Sequence, residues 1–213
     1  ARRYWDAAAS AAAPSRLDGP GTLRETLLGA VRRELMSDVP LGIFTSGGLD
    51  SSWLAAAAKT VLPDERIHTY AVRFAEPGYD ESDFAAVVAR HMGTVHHVVI
   101  ADDASLLRAL DVVTERVAEP IGDPAVLPTY LLAEAAREHV KVVLSGEGAD
   151  ELFGGYPTYL GHRAAARYGA LPAPLRRVLA GLGARLPAST RQGPEEVLLE
   201  RFLAAAGPAP PAR

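Results

Sequence analysis

Apolar positions in this chain recur with two periods that take turns along it. Over Thr22–Met36, Leu23, Leu27, Ala30, Val31 and Leu35 repeat near helical spacing with arginine and glutamate between them, which predicts a helix with one buried face. Asp38 and Pro40 end it. Leu41–Thr45 is a short apolar run, a strand, that opens into Ser46–Gly47–Gly48. Asp50–Val61 is rich in alanine and leucine and predicts a helix. His68–Phe74 alternates and carries Tyr70 and Val72, so it predicts a strand. Glu81–Met92 then predicts a helix, β-branched Val95–Ile100 a strand, and Ser105–Val117 an amphipathic helix. Tyr130–His139 predicts another helix, and Val140–Leu144 a buried strand running into Ser145–Gly146–Glu147–Gly148.

Strands alternating with helices at these lengths imply βαβ units. The expected fold is α/β, a doubly wound parallel sheet with helices on both faces. The Ala-, Pro-, Gly- and Ser-rich stretch 1–21 reads as a linker, and 22–170 as the α/β domain. Residues 171–213 read as a helical extension with short pieces at Leu175–Leu186 and Glu195–Ala206 and a frayed or truncated end at Gly207–Arg213.

Composition narrows the chemistry. In 213 residues, 48% are hydrophobic and the net charge is -4 with no basic half, which argues against a nucleic-acid partner. Cysteine is absent, which excludes disulfides, Cys-based zinc sites and thiol catalysis within the chain. No apolar run approaches the ~20 residues of a membrane span, and the start lacks a secretory signal, so no membrane role and a cytoplasmic location are expected.

The loop Ser46–Gly47–Gly48–Leu49–Asp50–Ser51–Ser52 follows a predicted strand and opens a predicted helix. Its glycines let backbone approach an anion, the helix start points free N–H groups at the same place, and Ser46, Ser51 and Ser52 add hydroxyls. This is a phosphate cradle. Asp50 repels phosphate, so its task is to hold a bridging magnesium ion. The loop lacks the lysine and spacing of a Walker A motif. The second loop, 145–156, packs four glycines and three carboxylates, Glu147, Asp150 and Glu151, into twelve residues. That makes a poor helix or strand and suits metal holding or acid–base work. In a parallel sheet both loops belong at the carboxyl ends of the strands.

The first loop resembles the S-G-G-x-D-S pyrophosphate (PP) loop of ATP pyrophosphatases, with the adenine nucleotide alpha hydrolase-like fold. Leu144–Tyr156, reading L-S-G-E-G-A-D-E-L-F-G-G-Y, resembles the hallmark of the glutamine-hydrolysing asparagine synthetase family, in its C-terminal synthetase domain. Ser37–Gly42 before the first loop, Tyr79–Ser82, His96–His97 and Glu119–Pro120 stand in the family's order, and Arg3–Asp6 resembles the start of its synthetase domain.

The resemblance implies ATP-dependent asparagine synthesis. The side-chain carboxylate of aspartate attacks ATP to give β-aspartyl-AMP and pyrophosphate, and ammonia from a glutaminase domain then displaces AMP. By similarity, Ser46, Gly47, Gly48, Asp50, Ser51 and Ser52 hold the ATP phosphates and their Mg2+. Ser145 and Gly146 contact the nucleotide, as do Phe44 or Thr45 at the strand end, where the family has leucines. Val72 packs on adenosine and is equally an ordinary core valine. Asp150 is a second carboxylate facing the metal, so Asp50 and Asp150 should converge on one cation. Glu147 is the acid–base residue of ammonia attack; β-lactam synthetases carry tyrosine there. The alternatives are a relative of β-lactam synthetase or peptide cyclase type that activates another carboxylate, or a nucleotide-binding module without catalysis. A homodimer is compatible with the pattern, which does not fix the oligomeric state.

The family's glutaminase nucleophile is a cysteine, which this chain lacks. The family's pyrophosphate-binding lysine matches neither Lys59 nor Lys141 and is expected beyond residue 213. The chain alone is therefore expected to bind ATP weakly and to catalyse poorly. Adjacent His96 and His97 point to opposite faces of a strand and are not expected to share an ion. Tyr79–Ser82 reads as an acidic helix start, and Asp123–Pro124 as a turn.

Overall fold

The computed structural model describes residues 6, 19–76, 78, 80–119, 121–172 and 174–176. In chain order the elements are α1 (Pro20–Glu34), β1 (Leu41–Phe44), α2 (Leu49–Val61), β2 (His68–Phe74), α3 (Ser82–Met92), β3 (Val95–Ala101), α4 (Asp103–Arg116), α5 (Val126–Ala136), β4 (Val142–Leu144), α6 (Ala149–Phe153) and α7 (Pro157–Gly169). The chain forms two compact units, Ala1–Gly146 and Glu147–Arg213. Of the piece expected over Leu175–Leu186, residues 175 and 176 are helical and 177–186 lie outside the described residues, as do the piece expected over 195–206 and most of 1–21.

The first unit is the expected α/β layer structure. Among the described residues its four strands are all parallel, in the order β3-β2-β1-β4. Successive side chains on β1 leave opposite faces. Ile43, fully buried, joins Val31, Leu35, Leu54, Ala55 and Ala58 from α1 and α2. Phe44 packs on the other face with Tyr70, Ala136 and Val140 below α5. A third cluster, Ala101, Ala109 and Leu131, ties α4 and α5 to β3 and takes in Val72. Alanines at 55, 57 and 58 let α2 lie close on the sheet. Gly42 leaves room for the Tyr70 ring, since a Cβ there would stand 2.9 Å from its Cε2 atom.

Local chemistry moves several boundaries from those expected. Helix α4 starts at Asp103 because Asp102 caps it, accepting the Ser105 amide at 2.8 Å while Ser105 accepts the Asp102 amide at 3.0 Å. The Asp123–Pro124 turn forms, with Asp123 accepting the Ala125 amide at 2.9 Å, and it lets α5 begin at Val126 rather than Tyr130. The strand expected over Val140–Leu144 is shorter and less buried. The strand covers Val142–Leu144, preceded by the Lys141 amide bonding the Pro40 carbonyl at 3.0 Å, and Val142 is 37% exposed because among the described residues β4 has a partner on one side only.

The second unit corrects the expectation that its glycine-rich segment forms no helix. Ala149–Phe153 is helical, bounded by Gly148 (φ +88°) and Gly154 (φ +71°). The glycines lie outside the turn and terminate it in the left-handed region, which suits glycine. Tyr156 donates to Glu151 at 2.7 Å and meets the Tyr159 ring edge-on at 5.7 Å, joining α6 to α7.

Ile43→Ala removes a fully buried side chain from the middle of the sheet. Unfolding free energy should fall by about 2–5 kcal/mol, read as a lower urea midpoint at unchanged slope.

Candidate active site

The strand order makes the site. From β1 the chain steps outward to β2 and β3, then returns to place β4 on the other side of β1. The order reverses between β1 and β4, and ligands of open α/β sheets bind in the crevice outside the carboxyl ends of such a pair. Ile43 stands level with Leu144, so the loops leaving these two strands emerge side by side. They are the two glycine loops singled out in the sequence.

The first loop is held open by its own hydrogen bonds. The Ser51 hydroxyl, on a buried residue, accepts the Ser46 amide at 3.1 Å and lies 3.1 Å from the Ser46 hydroxyl, and Ser46 accepts the Gly48 amide at 3.2 Å. Gly47 has φ +82°, and a Cβ on it would stand 2.5 Å from the Ala85 nitrogen and from Phe84 Cβ. Glycine is therefore required there twice over, by conformation and by the close approach to α3. Helix α2 has no side-chain cap, and its ladder begins with the Ser52 amide bonding Gly48 at 3.0 Å. The first-turn amides of Leu49, Asp50 and Ser51 thus precede the ladder and, with the dipole, favour an anion at this end. The Ser52 hydroxyl is buried and meets no protein partner. Asp50, half-buried, sits in this first turn.

The loop after β4 closes against the same turn. A Cβ on Gly146 would stand 3.1 Å from the Ser51 nitrogen and 3.4 Å from Asp50 Cβ. Gly146 therefore lies directly against the start of α2, and Ser145, exposed, precedes it. The structure thus brings together Ser46, Gly47, Gly48, Asp50, Ser51, Ser52, Ser145 and Gly146. Phe44 and Thr45 lie below them at the strand end. Buried Thr45 continues the pairing through its amide to the Tyr70 carbonyl at 2.8 Å, and Phe44 packs edge-on against the Tyr70 ring at 6.4 Å. Val72 lies in the core cluster with Ala101, Ala109 and Leu131.

Glu147 and Asp150 belong to the second unit. Glu147 is exposed, and Asp150 is half-buried in α6 with its carboxylate against Gly155, where a Cβ would clash with it. Glu151 is held below the usual carboxylate range by the Tyr156 hydroxyl, which is itself pushed up to about 12 by that bond.

Sequence reasoning passed over Arg73. It donates to Ser82 at 2.8 Å and to Asp83 at 2.9 Å and lies 3.6 Å from Asp80, which accepts the Ser82 amide at 3.0 Å. The amide and hydroxyl of Ser82 lower the Asp80 pKa. This network pins the start of α3, the surface against which Gly47 packs. The signal lay in the acidic cluster at 80–83, read only as a helix start. His96 and His97 do face apart: His96 bonds the Thr69 hydroxyl at 3.0 Å, whereas His97 joins His68 at 2.9 Å. Lys59 caps its own helix end through the Pro63 carbonyl at 2.7 Å. Tyr79 and Pro120 lie outside the described residues.

Comparison with known proteins agrees with this geometry. A family model described as asparagine synthase matches residues 22–209. A putative asparagine synthetase [glutamine-hydrolyzing] of Mycobacterium tuberculosis is 38% identical over 162 residues, covering 76% of this chain and 24% of the relative. Asparagine synthetase [glutamine-hydrolyzing] 1 of Bacillus subtilis is 35% identical over 179 residues, covering 84% of this chain and 28% of the relative. The chain thus spans about a quarter of the length of these curated relatives. The glutamine-dependent NAD+ synthetase of Acinetobacter baumannii in complex with ADP superposes with a TM-score of 0.50 at 18% identity, over 95% of this chain and 48% of that one, a likeness of fold. Among the described residues no helix is long and apolar enough to cross a membrane. With the matched segment spanning both glycine loops and the sheet between them, this chain belongs to the asparagine synthase family.

Proposed function

We propose that this chain carries the ATP-dependent adenylating step of asparagine synthesis, with residues 22–170 as the nucleotide-binding domain of a cytoplasmic enzyme. The observation that carries the reading is the packing of Gly146, at the start of the second hallmark, against the first turn of α2, which opens from the first hallmark. The aspartate side-chain carboxylate attacks the α-phosphorus of ATP. The bond to the bridging oxygen breaks, pyrophosphate leaves, and β-aspartyl-AMP forms. Ammonia from a glutaminase domain then attacks the acyl carbon, AMP leaves, and asparagine results.

The residues divide this work by their chemistry. Backbone N–H groups at the start of α2, with the hydroxyls of Ser46 and Ser52, receive the phosphates and hold them in line for attack. These donors are fixed before substrate arrives, so stabilising the growing phosphate charge needs little reorganisation. A Ser51 hydroxyl engaged inside the loop keeps the cradle in shape. Gly146 lets the second loop approach without a side chain filling the nucleotide space. Phe44, Thr45 and Val72 border the base and sugar, and Ser145 contacts the nucleotide. An unpaired buried Ser52 hydroxyl in the same first helical turn as Asp50 fits magnesium-bound phosphate, because hard divalent cations take oxygen ligands. Magnesium, when bound, neutralises phosphate charge; Asp50 and Asp150 would hold it. Glu147 takes the proton lost by ammonia as it attacks. The family resemblance supports these last two roles.

Pyrophosphate exchange into ATP tests the reading in the full-length protein. Aspartate should support exchange, and Asp50→Asn or Asp150→Asn should slow it by at least about a hundredfold. Glu147→Gln should retain exchange yet lose asparagine formation, because it acts only in the second step. Exchange unchanged in Asp50→Asn, or faster with another carboxylate than with aspartate, overturns the assignment. Gly146→Ala should weaken ATP binding about tenfold, or ~1.4 kcal/mol, with the folded circular dichroism spectrum retained. Equal ATP affinity in a calorimetric titration would show that the close approach has no part in nucleotide binding.

A further inference from the structure

On the sheet face below α5, three histidines meet away from the glycine loops. His68 opens β2, His97 lies on β3, and His139 follows the end of α5, its amide bonded to the Ala136 carbonyl at 3.0 Å. His68 Nδ1 and His97 Nε2 are 2.9 Å apart. The ring centroids stand 5.1 Å apart for His68 and His97, 5.3 Å for His68 and His139, and 4.5 Å for His97 and His139. One nitrogen from each ring lies within 4.8 Å of the other two, and among the described residues this is the group of histidine and carboxylate side chains arranged so.

We propose that His68, His97 and His139 bind one divalent transition-metal ion of the zinc class, in a site separate from the nucleotide rim. Imidazole nitrogens bind zinc at about 2.0–2.1 Å, which in tetrahedral geometry separates two ligands by about 3.3 Å. The His68–His97 pair already stands near that spacing. His139 is the exposed member, and rotation of its side chain draws the third nitrogen inward. Tyr70 floors the cluster, stacked 4.7 Å from His97 and 6.4 Å from His68. Three protein nitrogens leave a coordination position for water or another small ligand.

The topology favours a metal over a simple stack of rings: the three residues come from β2, β3 and the turn after α5, so one ion would pin the end of α5 to β2 and β3. The place differs from the active site. His68 stands level with Gly42, four residues before Ser46 and so about 13 Å toward the amino ends of the strands. The borderline-soft nitrogen set suits zinc, copper or nickel and not magnesium.

Calorimetric titration of the purified protein with zinc chloride tests the proposal. One ion per chain should bind, and His139→Gln should weaken binding at least about tenfold with an unchanged circular dichroism spectrum, while His91→Gln binds as before. Zinc should raise the thermal midpoint of the parent protein and not that of His139→Gln. X-ray absorption of the zinc-loaded parent protein should show three imidazole nitrogens, a readout that survives even if a variant fails to fold. No binding, equal binding by His139→Gln, loss of binding in His91→Gln, or fewer than three imidazoles at the metal would overturn it.

Discussion

The close approach of two backbones at the rim of β1 and β4 governs the arrangement. Gly146 lies so near the start of α2 that a methyl group would stand 3.1 Å from the Ser51 nitrogen. That contact exists only because Ile43 and Leu144 are level in a parallel pair. Parallel pairing of these strands in turn depends on helices that cover both faces of the sheet. Burial of Ile43 under α1 and α2, and of Phe44 and Tyr70 under α5, thus sets where two loops a hundred residues apart emerge. The chemistry is local, but its geometry is imposed by the core.

The rim is also buttressed from the side. Gly47 turns back against Phe84 and Ala85, and the segment that receives it is held by Arg73 through Ser82 and Asp83. An arginine on β2 therefore shapes a loop on β1 without touching it. Such support matters because preorganised donors stabilise developing charge only when they do not relax around it. The serine hydrogen bonds inside the loop act in the same direction, holding the backbone open before any anion arrives.

Much of the sheet was legible in the alternation of apolar periods, since β-branched and aromatic residues cluster where strands form. The phosphate loop was legible too, because a strand, two glycines and a helix start have few other uses. Less visible were features that depend on partners distant in sequence. Val142 reads as buried by composition, and only its place on an outer strand exposes it. The glycines at 148 and 154 read as breakers, whereas they bracket a short helix, because left-handed glycine ends a helix without preventing one. Arg73 has its only hint in the acidic cluster at 80–83, and its importance emerges once α3 is folded beside it. His97 was read against its neighbour His96, yet its partners are His68 and His139, brought in by strand pairing and by the end of α5.

The outer edge of β3 has a consequence for handling the protein. Among the described residues, β3 is paired on one side only, and it is seven residues long with Val98 and Ile100 41% and 65% exposed. It contains no lysine, proline or other blunting residue. Amides and carbonyls without a strand partner among the described residues, beside exposed aliphatic side chains, make a template onto which a second polypeptide can add as a strand. Concentrated solutions would therefore associate through this margin first, and a single charge at Ile100 would be the least intrusive way to discourage it.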